Sequence, residues 1–412
     1  MNNDLQNLDE FYKESCSLFF AEHSLFERQE QLQNSLIRFS EKQSEIAAKE
    51  VFEAFLFTYR LPGLQELISA MNRFEVLSGR LVPSQRDHYI HSVNVFLLGF
   101  SIFARSANLK SIATSYSEYA DSYPNIGEEF LFRWGLASLF HDVGYPLQIA
   151  YRTITEFTTM LISPSLLFND ESVVLSEGSK KKIKPVAFLT IPNLDDLLFI
   201  KGLPPKKSLE GEYYSKYPNL KELPNDLIYA ISSQIAKRGF ASSNVICERI
   251  KREINESLET GNVDHGIYSA IIFLKWINEA FYSSAWNPAY FYIPVMHSAS
   301  AILLHNSHDY IFQAPPFNLQ ALDCQQDFLT YLLILCDSIQ ETDRVCYGYS
   351  ENREPFSESR LKLENDSLTI EFLVDDLEFA NLKIQNIKES IQKAIALNSL
   401  FKDFNILVNL NT

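Results

Sequence analysis

The stretch that decides the fold is Leu139-Phe140-His141-Asp142-Val143-Gly144-Tyr145-Pro146. It places an imidazole and a carboxylate side by side at the end of an apolar run, and Gly144 and Pro146 end the helix that this run predicts. Burying both groups is costly unless they are paired or bind a metal ion. Neutral imidazole together with carboxylate suits divalent transition metals. The stretch therefore predicts a buried helix that ends at a metal site.

Several other stretches are apolar on nearly every side, which is typical of buried helices. With the helix predicted over residues 128–142, they are residues 88–104, 266–282, 295–306 and 326–340. These stretches predict an all-α core.

Each of these apolar stretches also presents an ionisable group. His91 lies near the start of the first, and His265 immediately precedes the second. His297 and His305 lie about 80° apart around an ideal helix on the third. Asp337 follows the apolar run of the last. Ionisable groups are rarely buried without a partner, so we expect a metal ion to be the partner that they share.

Composition limits the classes of protein to which the chain can belong. The 412 residues carry a net charge of −16 and 46% hydrophobic residues, which indicates a folded chain and argues against general nucleic-acid binding. The 5 cysteines show no C-x-x-C pair, as in a reducing compartment. The amino terminus is acidic, unlike a secretory signal, and the apolar stretch 93–104 is too short for a membrane span. We expect a cytoplasmic protein with no membrane association.

The pattern along the chain predicts three regions. Residues 1–80 are predicted to form an amino-terminal helical layer, and residues 81–350 a metal-binding core with an insertion at about 162–260. Within the insertion, 185–191 could be a strand, and 227–237 and 245–258 are predicted helices. Residues 351–412 are predicted to form a small α+β subdomain: a hairpin of 360–363 and 367–374, one long helix over 377–401 and a strand at 404–409.

The spacing of the buried groups resembles the HD-domain superfamily of metal-dependent phosphohydrolases. The signature of that family is a His, a His-Asp pair and a distant Asp, which here look like His91, His141-Asp142 and Asp337. The segments around His265 and His305 are similar to the two extra histidine segments of binuclear members. The resemblance covers roughly residues 84–345 and implies a mainly α HD-type core.

The resemblance also implies an activity. Two divalent metal ions (Mn, Fe, Mg, Co, Ni or Zn) would be bridged by Asp142, and a metal-activated hydroxide would attack a phosphate ester. The expected substrate is a small phosphorylated molecule, a nucleotide or cyclic nucleotide. Asp142 and His265 are the expected catalytic residues, with Arg344 holding phosphate oxygens. Arg86 is a second candidate for that role, although both arginines could equally form surface ion pairs.

The remaining histidines and one departure from the family complete the sequence predictions. His88 lies three residues before His91 and could be a second-shell or substrate residue, and His297 could be the same or a plain core histidine. His308, although it is followed by an aspartate, is predicted to lie in a loop. Many family members carry a lysine after the glycine of the His-Asp segment, where this chain has Tyr145.

Two other classes of function stay open from the sequence. A related binuclear His-Asp core can activate oxygen, which would make the protein a di-iron oxygenase. Alternatively, the core could sense a ligand without catalysis, as a regulatory module. The oligomeric state also stays open, and a homodimer is possible.

Overall fold

The computed structural model describes most of the chain outside the middle of the predicted insertion. The described residues are 5–23, 29–61, 63–78, 87–116, 126–150, 226–260, 263–282, 288–340, 356–364, 366–375 and 377–410. Within them the fold is mainly α-helical with one small sheet, which confirms the predicted fold class. The three predicted region boundaries stay predictions.

The amino-terminal region forms the helical layer that the sequence predicts. Its helices are α1 (Leu8–Glu22), α2 (Gln29–Glu41), α3 (Glu45–Thr58) and α4 (Leu64–Ser78). Ser44 caps α3, because its side chain accepts a hydrogen bond from the backbone N–H of Ala47 at 3.3 Å. The ring of Phe52 on α3 stacks on Tyr89 with a centroid distance of 5.0 Å, so this layer packs directly on the core.

Helices that are buried on nearly every side form the core, as their uniform apolar character predicts. They are α5 (Tyr89–Arg105), α7 (Ile126–Phe140), α10 (His265–Tyr282), α11 (Pro288–Phe312) and α12 (Phe328–Ile339). The shorter α6 (Ala107–Ser115) follows α5 and buries only one face, with Leu109, Ile112 and Ala113. Helices α8 (Leu227–Ala236) and α9 (Ser243–Thr260) come between α7 and α10 in the sequence. Trp134 on α7 is fully buried and donates a hydrogen bond from Nε1 to the carbonyl oxygen of Phe96 on α5 at 2.8 Å. These helices bring distant parts of the sequence to one place.

The carboxyl-terminal region is the predicted α+β subdomain. It comprises β2 (Phe356–Glu364), β3 (Ser367–Val374), α13 (Leu377–Ala394) and β4 (Asp403–Leu410). Strands β2 and β3 form an antiparallel hairpin, and β4 pairs in parallel with β3. The predicted strand over 404–409 is therefore confirmed.

Three sequence predictions are wrong in detail. The long helix predicted over 377–401 ends at Ala394, and a short 3-10 helix, Leu397–Ser399, follows it. A short strand, β1 (Gln6–Asn7), precedes α1 and pairs with β2, although the amino-terminal region was expected to be helical throughout. His308 lies within α11 and is 2% exposed rather than in a loop, because the helix continues to Phe312.

In the described part of the chain, no single helix is both long and apolar enough to cross a membrane. Helices α5 and α6 pass such a test only as a pair, and the chain bends by 95° between them. The predicted strand over 185–191 lies outside the described residues.

Candidate metal centre

The His-Asp pair lies in the turn that follows α7, where the sequence places it. His141 and Asp142 are both buried. The Nδ1 atom of His141 donates a hydrogen bond to the carbonyl oxygen of Ser138 at 2.7 Å. Its Nε2 atom is buried without a hydrogen-bond partner among the described residues. A buried nitrogen in this state is a donor atom available to a metal ion.

His91 on α5 and Asp337 on α12 face this pair. The Nε2 atom of His91 lies 2.8 Å from Oδ1 of Asp337, and Nε2 of His141 lies 3.5 Å from the same oxygen. The Asp337 side chain is 30% exposed, whereas the side chains of both histidines are fully buried. The cluster therefore reaches solvent on the side of Asp337.

His265 at the start of α10 and His305 on α11 complete the cluster. Their Nε2 atoms lie 3.2 Å from each other, and Nε2 of His265 lies 3.4 Å from Oδ1 of Asp142. Two uncharged imidazole nitrogens at this distance and with lone pairs facing each other repel, unless a proton or a cation lies near them. A metal ion would relieve this repulsion.

Backbone and side-chain oxygens set the orientation of all four imidazoles in the same way. Each Nδ1 atom faces an oxygen acceptor, so the proton sits on Nδ1 and the lone pair on Nε2 points into the cluster. The acceptors are Gln340 Oε1 for His91, Ser138 O for His141, Gln148 Oε1 for His265 and Ile302 O for His305. This arrangement is the one that metal-binding histidines use.

Asp142 lies between two groups of possible ligands. Its Oδ2 atom is 3.4 Å from Nε2 of His141 and 4.0 Å from Nε2 of His91, whereas its Oδ1 atom faces His265. The ligand atoms of His91, His141 and Asp142 lie within 4.8 Å of one another, and the same holds for Asp142, His265 and His305. These groups could hold metal ions, and both share the Asp142 carboxylate.

His88 contacts the carboxylate of Asp142 directly. Its Nδ1 atom lies 2.8 Å from Oδ2 of Asp142, and its ring packs on Tyr145 with a centroid distance of 3.6 Å. Asp87 accepts hydrogen bonds from the backbone N–H groups of Tyr89 and Ile90, which holds the start of α5 in place. His88 therefore orients the carboxylate that both groups share.

The charges within the cluster are strongly coupled. Burial lowers the pKa of His141, but the charges of Asp142 and Asp337 outweigh this effect and raise it to about 9. Burial and the neighbouring His141 and His265 lower the pKa of His305 to about 4. One proton between the two carboxylates thus balances part of their charge. A cation bound there would displace that proton.

Two glycines let the backbones of neighbouring helices come close enough to form the site. A Cβ atom on Gly144 would lie 2.4 Å from the backbone nitrogen of Ser269 and 2.7 Å from the carbonyl oxygen of His265. The backbone N–H of Gly144 also donates to Oγ of Ser269 at 2.7 Å. Similarly, a Cβ atom on Gly266 would lie 3.0 Å from the carbonyl oxygen of Ile302. The His-Asp turn and α10 therefore fit together only with Gly144, whereas a Cβ atom on Gly266 would require α10 and α11 to shift by a few tenths of an ångström.

The structure brings together every predicted metal ligand, and of the other candidates it places His88 against Asp142 and His297 away from the cluster. The residues in the cluster are His91, His141, Asp142, His265, His305 and Asp337. His297 lies elsewhere, in contact with Arg133 and Asp327. Arg86 and Arg344 lie outside the described residues, so their roles stay predictions.

The sequence analysis missed the two glutamines that orient His91 and His265. Gln340 lies three residues after Asp337, and Gln148 lies four residues after Gly144. Helical spacing from known ligands was the available signal, but a neutral amide on a helix does not stand out as an isolated charge does.

Comparison of the chain with protein-family models, with curated protein sequences and with solved structures gives no match. What the chain does must therefore be argued from the cluster itself. Buried imidazole and carboxylate groups that could hold metal ions are compatible with an HD-like site.

Proposed function

We propose that the chain is a metal-dependent phosphohydrolase with a binuclear centre of the HD type. The observation that carries the proposal is the position of Asp142, whose two carboxylate oxygens face different histidines. A carboxylate in this position can bridge two divalent ions, one near His91 and His141 and the other near His265 and His305. Asp337 would complete the first group.

A pair of divalent ions supplies Lewis acidity and lowers the pKa of water toward neutrality. The residues of the chain supply the ligands and hold them in orientation. The oxygen acceptors on each Nδ1 atom orient the four imidazoles so that their Nε2 atoms face the cluster. His88 holds the Asp142 carboxylate in place through Oδ2. Asp337 and His265 are partly exposed, so a substrate would approach the centre from their side.

The proposed substrate is a small phosphorylated molecule, and a nucleotide or cyclic nucleotide is the first candidate. This step rests on the resemblance to the HD superfamily. A bound metal cluster would supply the local positive charge that a phosphate needs on a chain of net charge −16. Arg344, and Arg86 as the second candidate, would hold the remaining phosphate oxygens.

One observation favours a second candidate, the di-iron oxygenase. Tyr145 occupies the position at which many phosphohydrolases of this type carry a lysine, and its ring packs against His88 and His265. A neutral aromatic side chain does not attract phosphate as an ammonium group does. A phosphohydrolase consumes a phosphate ester and an oxygenase consumes oxygen, so assays on one protein preparation can distinguish the two candidates.

The test compares two His-Asp dipeptides of the same chain. Asp142→Ala removes the proposed bridge, and Asp309→Ala is the matched control, since Asp309 follows His308 but pairs with Lys393 at 2.7 Å. Elemental analysis measures bound metal in wild type and both variants. A panel of nucleotides and cyclic nucleotides with Mn²⁺ measures phosphate-ester hydrolysis, and an oxygen electrode measures oxygen consumption with Fe²⁺.

We expect about two metal ions per wild-type chain and metal-dependent hydrolysis, both lost in Asp142→Ala and both retained in Asp309→Ala. Full metal content and activity in Asp142→Ala would refute the proposed centre. Oxygen consumption without hydrolysis would favour the oxygenase. Protein that binds no metal and hydrolyses no phosphate ester with any divalent ion would favour a ligand-sensing module.

A further inference from the structure

A second buried cluster of charged residues lies away from the metal centre. The Nη1 atom of Arg133 donates a hydrogen bond to Nδ1 of His297 at 2.8 Å, and Nε2 of His297 donates to Oδ1 of Asp327 at 3.0 Å. Arg238 donates to the other oxygen of Asp327 and to Thr330 Oγ1. Arg133 also pairs with Glu129, one helical turn away on α7. We call these residues the arginine cluster.

The arginine cluster lies about two helical turns from the metal centre on the same helices. Arg133 precedes His141 by eight residues, and His297 precedes His305 by eight, a rise of about 12 Å in each case. Ala137 on α7 and Ala301 on α11 lie between the two clusters and are fully buried. The two clusters are therefore at different positions along α7 and α11, and the arginine cluster is distinct from the metal centre.

The arginine cluster borders a cavity of about 240 Å³. Arg133, Arg238, His297 and Asp327 line it from the protein interior, and Gln234 and Lys237 line it from the end of α8. Gly239 has a φ of +80°, so the chain turns sharply after α8, directly beyond Arg238. The cavity is thus formed by elements from three distant parts of the sequence.

Two guanidinium nitrogens in this cluster are unsatisfied. Nε of Arg133 and Nη1 of Arg238 are buried and have no hydrogen-bond partner among the described residues. The two side chains are only 4% and 5% exposed, so any further acceptor for them would have to come from within the cavity. A buried donor without an acceptor is costly, and native proteins retain one where a ligand supplies the acceptor.

The charge around the cavity favours an anion. Among the described residues around the cavity, the cations are Arg133, Arg238 and Lys237, and the carboxylates are Glu129 and Asp327. Each carboxylate is already engaged by an arginine. His297 accepts from Arg133, and its pKa is lowered by burial, so it adds no charge. Guanidinium groups with unused N–H donors match the oxygens of phosphate and carboxylate groups.

We propose that this cavity is a second ligand site, separate from the metal centre, that binds a small, multiply charged oxyanion. The shared chemistry is a set of phosphate or carboxylate oxygens that accept from Arg133 and Arg238, with Lys237 at the rim. The proposal needs no catalytic activity, so it stands or falls independently of the phosphohydrolase assignment.

The test is isothermal titration calorimetry at fixed ionic strength on the full chain, after EDTA has stripped any metal and has itself been removed by desalting. Pyrophosphate is the phosphate probe and citrate is the carboxylate probe. Lys237→Glu reverses the exposed charge at the rim, and Gln234→Trp fills the cavity. Lys42→Glu is the matched control, an exposed lysine in the amino-terminal layer that does not line the cavity. Asp142→Ala removes the centre of the metal cluster.

We expect one saturable site for at least one probe, weakened at least tenfold by Lys237→Glu and abolished by Gln234→Trp. Lys42→Glu and Asp142→Ala should bind within about twofold of wild type. Tighter pyrophosphate binding would assign a phosphate ligand, and tighter citrate binding a carboxylate ligand. Unchanged binding in Lys237→Glu and Gln234→Trp, loss of binding in Asp142→Ala, or no binding of either probe to wild type would overturn the proposal. Circular dichroism confirms that each variant is folded.

Discussion

Replacing Gly144 by alanine should damage the metal centre without touching a ligand. The added methyl group would lie 2.4 Å from the backbone nitrogen of Ser269 and 2.7 Å from the carbonyl oxygen of His265. Both atoms belong to the backbone of α10, so no side-chain rotation can relieve the contact. Either α10 or the His-Asp turn must move.

The size of the movement follows from these distances. An ordinary contact of a Cβ atom begins at 3.4 Å, so the nearest atom is about 1 Å too close. Overpacking of this kind typically costs about 1–3 kcal/mol. Disturbing the hydrogen bond from Gly144 to Ser269 Oγ adds about 1 kcal/mol. We therefore expect the free energy of unfolding to fall by about 2–4 kcal/mol. His265 should also move by more than the roughly 0.2 Å that metal–ligand distances tolerate.

Urea denaturation followed by circular dichroism measures the loss of stability, and elemental analysis measures bound metal. Ser269→Ala is the matched control, because it removes the same hydrogen bond but adds no volume. It should cost only about 1 kcal/mol and leave the metal content unchanged. The double variant should not recover the stability of wild type, since the closest atom is the backbone nitrogen of residue 269.

Two results would refute this reasoning. A free energy of unfolding for Gly144→Ala within about 0.5 kcal/mol of wild type would mean that the turn has room for a methyl group. A normal metal content despite a large loss of stability would mean that the position of His265 does not depend on this contact.

Three further predictions concern residues around the two clusters. Gln340→Leu removes the acceptor for Nδ1 of His91 and should weaken metal binding by about 10- to 100-fold in a competition assay with a chelating dye; unchanged affinity would contradict this role. Burial raises the pKa of Glu128 to about 7, so its folded form binds a proton more tightly than its unfolded form, and stability falls as pH rises from about 4.5 to 7. Glu128→Gln should therefore be more stable than wild type by about 1–2 kcal/mol at pH 8, allowing for solvent screening, and equal to it at pH 4; urea titrations with the same difference at both pH values would count against this. Asp264→Ala removes the acceptor for Asn306 and for the hydroxyl of Tyr310 and should lower the free energy of unfolding by about 2–4 kcal/mol. An unchanged melting temperature in thermal denaturation would contradict this prediction.

The metal cluster could be predicted from the sequence because its ligands are physically conspicuous. His141, Asp142 and Asp337 are ionisable residues in or beside helices with no polar face, and such residues need a partner. The helices themselves could also be predicted, since an apolar stretch of this length has few alternatives to a buried helix. The helix predicted over 266–282 agrees with α10 to within one residue, whereas the one predicted over 128–142 differs from α7 by two residues at each end.

Contacts between residues far apart in the sequence could not be predicted in the same way. Nothing in Gln6–Asn7 indicates a strand, because the pairing with β2 supplies the structure rather than the local sequence. His308 was placed in a loop because Asn306 and Ser307 are typical of helix ends. In the fold, Asn306 donates to Asp264 and Ser307 to the carbonyl oxygen of Leu303, and both contacts suit a continuing helix.

The arginine cluster could be predicted only in part from the sequence. Glu129 and Arg133 are four residues apart within an apolar stretch, and this spacing alone indicates an ion pair on a buried helix. Their partners His297 and Asp327 come from other elements, and the sequence shows no connection between them. The cavity beside them depends on all of these elements and became visible only in the structure.

The pairing of β1 with β2 has a consequence for how the chain folds as it is made. Gln6 lies opposite Leu361, so the first strand stays without its partner until the ribosome has added about 355 residues. At about 5–20 residues per second, this takes roughly 20–70 s. His91 and Asp337 are separated by 246 residues, so the cluster can take up metal as a complete site only late in synthesis. The early helices must therefore avoid aggregation for tens of seconds. During that time β1 has no strand to pair with, and the histidines of the metal cluster lack Asp337.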